Sequence, residues 1–129
     1  PLFVINGDVI TNINFNEFLK FHIDNNADFS IAAHNYNTQI NYATLKLDNH
    51  NVLEISEKPK VSHIVNAGIY LINPKILKYI KINEHMDMNK LIEVCIAKRD
   101  KVMAFPIYEY WRDIGIKENY IAAIADYKN

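Results

Sequence analysis

Apolar residues in this chain come in short blocks, each closed by Gly, Asn, Asp or Pro, and the spacing inside a block indicates which element it builds. The first block, Leu2-Phe3-Val4-Ile5, is continuous and stops at Asn6-Gly7-Asp8. A run of that kind, without polar alternation, predicts a strand covered on both faces, as in the parallel part of an α/β sheet. After Val9-Ile10-Thr11-Asn12-Ile13 the period changes. Phe15, Phe18, Leu19 and His22 recur at helical spacing behind Asn14, which suits a helix cap with Glu17 reaching back to it. The Asn25-Asn26 pair suits the helix stop. Ala27 to Tyr36 returns to alternation, with Phe29, Ile31 and Ala33 set against polar neighbours, and predicts a strand. Strand, helix and strand in that order imply a right-handed parallel crossover.

Thr44 to Leu47 and Val52 to Ser56 predict two short strands joined around Asp48-Asn49-His50-Asn51, a hairpin. Pro59 then ends regular pairing and leaves Glu57 and Lys58 at a strand end. Val65 to Ile72 is a second buried strand, interrupted by Gly68, a place where a ligand or another backbone can come close. Asn73-Pro74 starts a helix with Ile76, Leu77 and Ile80 as its apolar face. Asp87 caps a further helix through Met88, Leu91, Ile92, Cys95 and Ile96. Lys101 to Ile107 forms another strand, followed by Trp111-Arg112-Asp113-Ile114-Gly115. A last helix, Lys117 to Tyr127, turns Tyr120, Ile121, Ile124 and Tyr127 inward. With no repeat, linker or low-complexity tract, residues 1–129 are expected to form one compact α/β unit: a mixed, mostly parallel sheet with flanking helices.

Charge narrows the partners. A formal net charge of -1 with 22% charged residues gives neither a nucleic-acid footprint nor a polybasic membrane patch, so the expected partner is a small molecule. The single cysteine excludes an internal disulfide, and no apolar run is long enough to span a bilayer or serve as a signal segment, which fits a reducing, cytoplasmic setting. Abundant Asn, Ile and Lys match the bias of an AT-rich genome, which weakens any case built on one Asn. The chain opens at Pro1 directly in a core strand, and the expectation is that it is a fragment.

Candidate chemistry sits at the block ends. Ligands of α/β sheets bind beyond the carboxyl ends of strands. Asp8 falls there, with Gly7 giving the backbone room and a substrate close approach, and an aspartate in that place is a natural Mg²⁺ ligand. The same Asn-Gly-Asp residues also make an ordinary turn. Glu57 and Lys58 point into a shared cleft or lie as solvated surface charge. Asp113, after a large aromatic and before Gly115, is a second carboxylate. His22 and Cys95 read as packing residues, not as a ligand and a nucleophile.

The ordered set FVINGDV, ISEKP, VNAGIYLINP and FPIYEYWRDIG followed by a helix resembles the sugar-phosphate nucleotidyltransferase family, particularly its mannose-1-phosphate guanylyltransferase-like members, over nearly the whole chain. The resemblance implies a Rossmann-like, GT-A-like catalytic domain whose C-terminal part this is. It also implies an enzyme that makes a nucleoside-diphosphate sugar, a GDP-sugar by family analogy, and pyrophosphate from a nucleoside triphosphate and a sugar 1-phosphate. By resemblance Asp8 and Asp113 hold Mg²⁺, Lys58 contacts the sugar phosphate, Glu57 accepts from sugar hydroxyls, and Asn66 reads the sugar ring with Gly68 leaving space in the strand. The role implied is in nucleotide-sugar supply for bacterial polysaccharide, by a homo-oligomer.

Three departures qualify the resemblance. The family's Tyr-Gly before the hairpin is Tyr42-Ala43 here, whose added methyl bears on sugar binding. The Thr-Pro helix start after the last glycine is Ile116-Lys117, a loss that bears on stability. The glycine-rich, Arg- and Lys-bearing loop that binds the triphosphate is not drawn from Gly7, Gly68 and Gly115, so the nucleotide-binding half is missing and the fragment alone is expected to be inactive. It is also expected to have an unpaired edge at Leu2 to Asn6 and to associate with itself. The alternative is a non-catalytic paralogue retained for regulation or oligomerisation, against which stands the joint presence of Asp8, Glu57, Lys58, Asn66 and Asp113. A glycosyltransferase of related fold would need paired aspartates where Asn6-Gly7-Asp8 supplies one.

Overall fold

Alternation along one long strand organises the larger part of the molecule. In the computed structural model, which describes residues 1–127, β6 (Lys60–Ile72) sends Ala67, Ile69 and Leu71 to one face and Tyr70 and Ile72 to the other, and all five are buried. The first group packs with Ile13, Phe18, Ala32 and Ile107, the second with Phe29, Ile76, Leu91 and Cys95. Two cores on opposite faces of one sheet are the layered α/β arrangement. The sheet order is β1-β6-β3-β7, with β1 spanning Leu2–Ile5, β3 Phe29–Gln39 and β7 Val102–Ile107. β3 and β7 run parallel, with Phe29 opposite Val102, whereas β1 and β6 run antiparallel, with Leu2 opposite Ile72. The sheet is mixed, as expected, and the parallel register is that of β3 with β7.

The first block is the unpaired edge expected at Leu2 to Asn6, and among the described residues it is not covered on both faces. β1 is an edge strand, and Leu2, Phe3 and Ile5 are 42%, 43% and 47% exposed. The strands covered on both faces are the central ones: Phe29, Ser30, Ala32 and Ala33 of β3 and Ala67 to Ile72 of β6 are buried. An apolar run states what a strand is suited to, and its place in the sheet decides what is covered.

The chain divides into two units, Pro1–His34 with the chain from Asn66 onward, and Asn35–Val65. In the first, α1 (Phe15–Asp24) starts at Asn14, whose Oδ1 accepts from the Asn16 and Glu17 amides at 3.1 and 3.2 Å. It buries Phe18, which stacks on Phe105 with ring centroids 5.1 Å apart. It also buries His22, whose Nδ1 lies 2.8 Å from Ser30 Oγ. Asn73 caps the next turn through the Lys75 amide, but Pro74–Tyr79 is a 3₁₀ helix, not an α-helix. α2 (Met88–Ala97) buries Leu91 and Cys95. Its N-cap residue, Asp87, makes no capping bond, and its carboxylate meets His85 Nε2 at 2.9 Å instead.

The last helix also departs from expectation. α3 (Lys117–Tyr127) buries Ala123, while Tyr120, Ile121, Ile124 and Tyr127 are exposed. Arg112 and Tyr110 hold it at the Asp126 carboxylate, at 2.9 and 2.7 Å, so a polar clamp fixes its rotation. A further antiparallel pair, β2 (Val9–Thr11) with β8 (Trp111–Asp113), places Val9 opposite Asp113 and Thr11 opposite Trp111.

The second unit carries the expected hairpin. β4 (Thr44–Asp48) pairs with β5 (Asn51–Ser56), and the turn shortens to Asn49-His50, with Asn49 at φ 51°. Asn tolerates that left-handed backbone better than most residues. Among the described residues no helix is long and apolar enough to cross a membrane.

Candidate active site

Asp8 and Asp113 lie 105 positions apart in the chain, and the β2–β8 ladder joins them. Val9 pairs with Asp113, and the Ile114 amide donates to the Asp8 carbonyl at 2.8 Å. The turn after β8 is closed by the Gly115 amide donating to Asp113 Oδ1 at 2.7 Å. The side chains then converge on one point: a Cβ built on Gly115 would lie 3.0 Å from Asp113 Oδ1 and 3.0 Å from Asp8 Oδ2. Glycine therefore leaves open the spot that two exposed carboxylates face. Two like charges turned to a shared point repel, and a cation between them removes that cost.

The donor set fits Mg²⁺. Hard carboxylate oxygens are its preferred protein ligands, and it commonly takes one or two of them with water and phosphate oxygens completing the shell. Among the described residues no group of three or more His, Cys, Asp or Glu side chains converges as a full protein cage. Gly7 has no atom within 4 Å of a would-be Cβ, so the approach past the Asn-Gly-Asp turn is open.

Asn66 and Gly68 form a second cluster in the same unit. Gly68 adopts φ +73°, a region costly for other residues, and accepts a 2.8 Å bond from the Asn6 amide at its carbonyl. The space beside it is filled from within the protein: of the two neighbours the sequence allows, a ligand or another backbone, the chain at Asn6 is the one that comes close. A Cβ there would come within 2.7 Å of Asn6 Nδ2. The glycine admits the Asn6 side chain, and Asn6 is the residue that leads into Gly7 and Asp8. Asn66 Oδ1 accepts from the Gly68 amide at 2.9 Å, and Asn66 Nδ2 donates to Asn89 Oδ1 at 3.3 Å. Burial raises the Tyr70 phenol above its ordinary range, opposed by its hydrogen bond with Asn66. Trp111 ties the two clusters together by donating from Nε1 to the Ala67 carbonyl at 2.8 Å.

Tyr42, Ala43, Glu57 and Lys58 belong to the Asn35–Val65 unit. Tyr42 and Ala43 precede β4 and are exposed, and Glu57 and Lys58 form the bend between β5 and β6. Lys58 sits at φ 44°, a left-handed conformation unusual for lysine and a sign of a constrained position. Among the described residues its ammonium and the Glu57 carboxylate have no protein partner, so both charges are available to a ligand.

Asn6 and Asn89 were not singled out in the sequence. Asn6 was hidden inside a turn motif that any protein uses, and Asn89 lies at a helix start with no motif around it. The Arg112, Tyr110 and Asp126 clamp was equally silent. The Asp126 carboxyl is held below its usual range by the Tyr110 hydroxyl and then by Arg112, and Tyr110 is raised in turn, mainly by Asp126.

The model of the family described as Nucleotidyl transferase matches residues 1–129. The chain belongs to that family. This nucleotidyl transferase chain is 33% identical over 133 residues to "Probable mannose-1-phosphate guanylyltransferase 3" of Arabidopsis thaliana, covering 100% of the chain and 40% of the relative. It is 30% identical over 131 residues to the mannose-1-phosphate guanyltransferase of Yarrowia lipolytica, covering 98% of the chain and 36% of the relative. The crystal structure of HddC from Yersinia pseudotuberculosis is similar with a TM-score of 0.65 at 25% identity, over 98% of this chain and 55% of that one. The nucleotidyl transferase chain thus spans less than half the length of these curated relatives.

Proposed function

We propose that this chain is the sugar-phosphate and metal part of a sugar-1-phosphate nucleotidyltransferase, one that joins a nucleoside triphosphate, GTP by analogy with the mannose-1-phosphate guanylyltransferases it is similar to, to a sugar 1-phosphate. The observation that carries the reading is the meeting of Asp8 Oδ2 and Asp113 Oδ1 at the open side of Gly115.

In the reaction a phosphate oxygen of the sugar 1-phosphate forms a bond to the α-phosphorus of the nucleotide while the bond from that phosphorus to the bridging oxygen breaks, and pyrophosphate leaves. The attacking oxygen is already ionised, so no side chain needs to take a proton. Both reactants are anions, and the work of the protein is to hold them in line and offset their charge. Asp8 and Asp113 would hold Mg²⁺, which when bound neutralises phosphate charge. Lys58, a cation without a protein partner among the described residues, offsets the charge of the sugar phosphate. Glu57 accepts from sugar hydroxyls, and Asn66 presents its amide to the ring. Tyr42 and Ala43 are assigned to the sugar side by family position, the alanine methyl narrowing what fits there. The sugar-phosphate part needs its nucleotide-binding counterpart, so the fragment alone is inactive in this reading, and the whole enzyme works in the cytoplasm as a homo-oligomer.

The test is pyrophosphate release by the full-length gene product with Mg²⁺, a panel of sugar 1-phosphates and the nucleoside triphosphates, beside Asp113→Asn. Release that requires one sugar and nucleotide pair and collapses at least a hundredfold in the variant is the expected result. A folded full-length protein that releases none with any pair overturns the reading in favour of a non-catalytic paralogue.

A further inference from the structure

Burial does little to hold α3. Ala123 is its buried residue, while Tyr120, Ile121 and Ile124 are exposed, and helices in proteins draw most of their stability from a covered apolar face. A closed triangle of polar contacts fixes it instead. Asp126 Oδ2 accepts from the Tyr110 hydroxyl at 2.7 Å and pairs with a terminal nitrogen of Arg112 at 2.9 Å, and Arg112 Nε donates to the same hydroxyl at 3.1 Å. The triangle stands on β2, since the Tyr110 carbonyl accepts from Thr11 Oγ1 at 2.9 Å and from the Asn12 amide at 3.0 Å.

Between Arg112 and Asp126 the chain holds Asp113, the turn at Gly115 and nearly all of α3. Strand alternation sends the Arg112 and Asp113 side chains to opposite sides of β8, so the guanidinium works on the helix while the carboxylate faces Asp8. β8 has three residues and few ladder bonds of its own. A helix free to pivot would therefore carry the turn with it. Because the Gly115 amide is bonded to Asp113 Oδ1 at 2.7 Å, a shift of that turn is also a shift of the carboxylate.

We propose that Arg112, with Tyr110 and Asp126, is a positioning residue for the carboxylate pair: the triangle holds α3 and the Gly115 turn so that Asp113 Oδ1 stays aimed at the point Asp8 Oδ2 also faces, where a divalent cation binds. This rests on the cation reading proposed above and gives a role to three residues that do not touch the ion. Charge alone predicts something different. Removing a guanidinium beside two carboxylates strengthens their attraction for a cation, whereas removing the Asp126 carboxylate weakens it. A clamp that acts through position loses affinity in both cases, and by the same factor.

The experiment titrates the full-length protein with Mn²⁺, a spectroscopic stand-in for Mg²⁺, and reads the bound ion by electron paramagnetic resonance, with thermal melts to confirm folding. Arg112→Met and Asp126→Ala should each raise the Mn²⁺ Kd about tenfold, as disturbing the support of metal ligands typically does, and the double variant should lose no more than either. Arg112→Lys, whose ammonium can still reach Asp126, should stay within about threefold of wild type. Tighter binding in Arg112→Met overturns the assignment, as do unchanged affinity in Asp126→Ala and losses that simply add in the double variant. Should Arg112→Met fail to fold, Tyr110→Phe takes its place, removing both hydroxyl contacts while keeping both charges; a Kd raised about threefold or more is expected, and no rise overturns the assignment. A wild type with no Mn²⁺ site, or with one that survives Asp113→Asn, overturns the reading of the carboxylate pair and with it the purpose given to the clamp, which separates the two failures.

Discussion

Replacing Gly115 by alanine should damage ion binding while leaving the fold intact. Gly115 is not in the left-handed region, since Gly68 alone among the glycines has a positive φ, so alanine fits the backbone without strain. Such a change commonly adds about 0.4 to 1 kcal/mol of stability by restricting the unfolded chain. The new methyl, however, would lie 3.0 Å from an oxygen of each aspartate, where ordinary contact begins at 3.4 Å. Both carboxylates are exposed and can withdraw, each by about 0.4 Å. Metal–ligand distances tolerate only about 0.2 Å, so relief of the clash comes at the expense of the shared point. Disturbing the immediate surroundings of metal ligands typically weakens affinity or activity about 10- to 100-fold. The assay is Mg²⁺ dependence of pyrophosphate release by the full-length protein, with a thermal melt alongside. A half-saturating Mg²⁺ concentration at least tenfold higher, with Tm within about 3 °C of wild type, is the expected pair of results. Unchanged Mg²⁺ dependence in a folded variant would refute the idea that the space beside Gly115 belongs to an ion.

Gly68→Ala should behave in the opposite way, because φ +73° and a 2.7 Å approach to Asn6 Nδ2 penalise the fold itself. A loss of about 2 to 4 kcal/mol is expected by urea denaturation, and a loss below 1 kcal/mol would count against the tight packing described. His22 predicts an acid slope: burial, opposed by Asp28, holds its imidazole below the usual value of 6.5. The unfolded chain then gains a proton before the folded one as pH falls, so stability should be level above about pH 6.5 and decline below it, and His22→Asn should flatten the urea midpoint between pH 7.5 and 5. Cys95 is fully buried, and burial, followed by Asp100 and Asp28, pushes its thiol up. Ellman's reagent should therefore leave the native protein unmodified and react with one thiol per chain in denaturant.

Elements defined by local chemistry were legible in the sequence. Asn14 and Asn73 cap their helices, Asn49 turns the hairpin, and Cys95 packs at helical spacing, because caps, turns and periodicity act over a few residues. What depends on placement was not. The composition of β1 suits a strand covered on both faces, and its place at the edge of the described sheet leaves it exposed. In α3 large apolar residues outnumber alanine, yet Ala123 faces inward because the Arg112 and Asp126 contact sets the helix's rotation. In the candidate site the aspartates announced themselves beside glycines. Their common point at Gly115 did not, since it requires the register of Val9 against Asp113. Asn89 was invisible for the same reason: its partner is 23 residues away and belongs to another element.

The ladder joining Val9 to Asp113 also sets a schedule. Its two strands are three residues each and stand a hundred positions apart, so closure must await nearly the whole of this stretch of chain. Loop closure of that length is entropically unfavourable until the intervening layers have packed. On the ribosome, a nascent chain that has emerged only as far as β7 carries one of the two aspartates and lacks the strand that brings in the other. The acidic pair is therefore a late product of maturation, assembled only when the framework around it is complete.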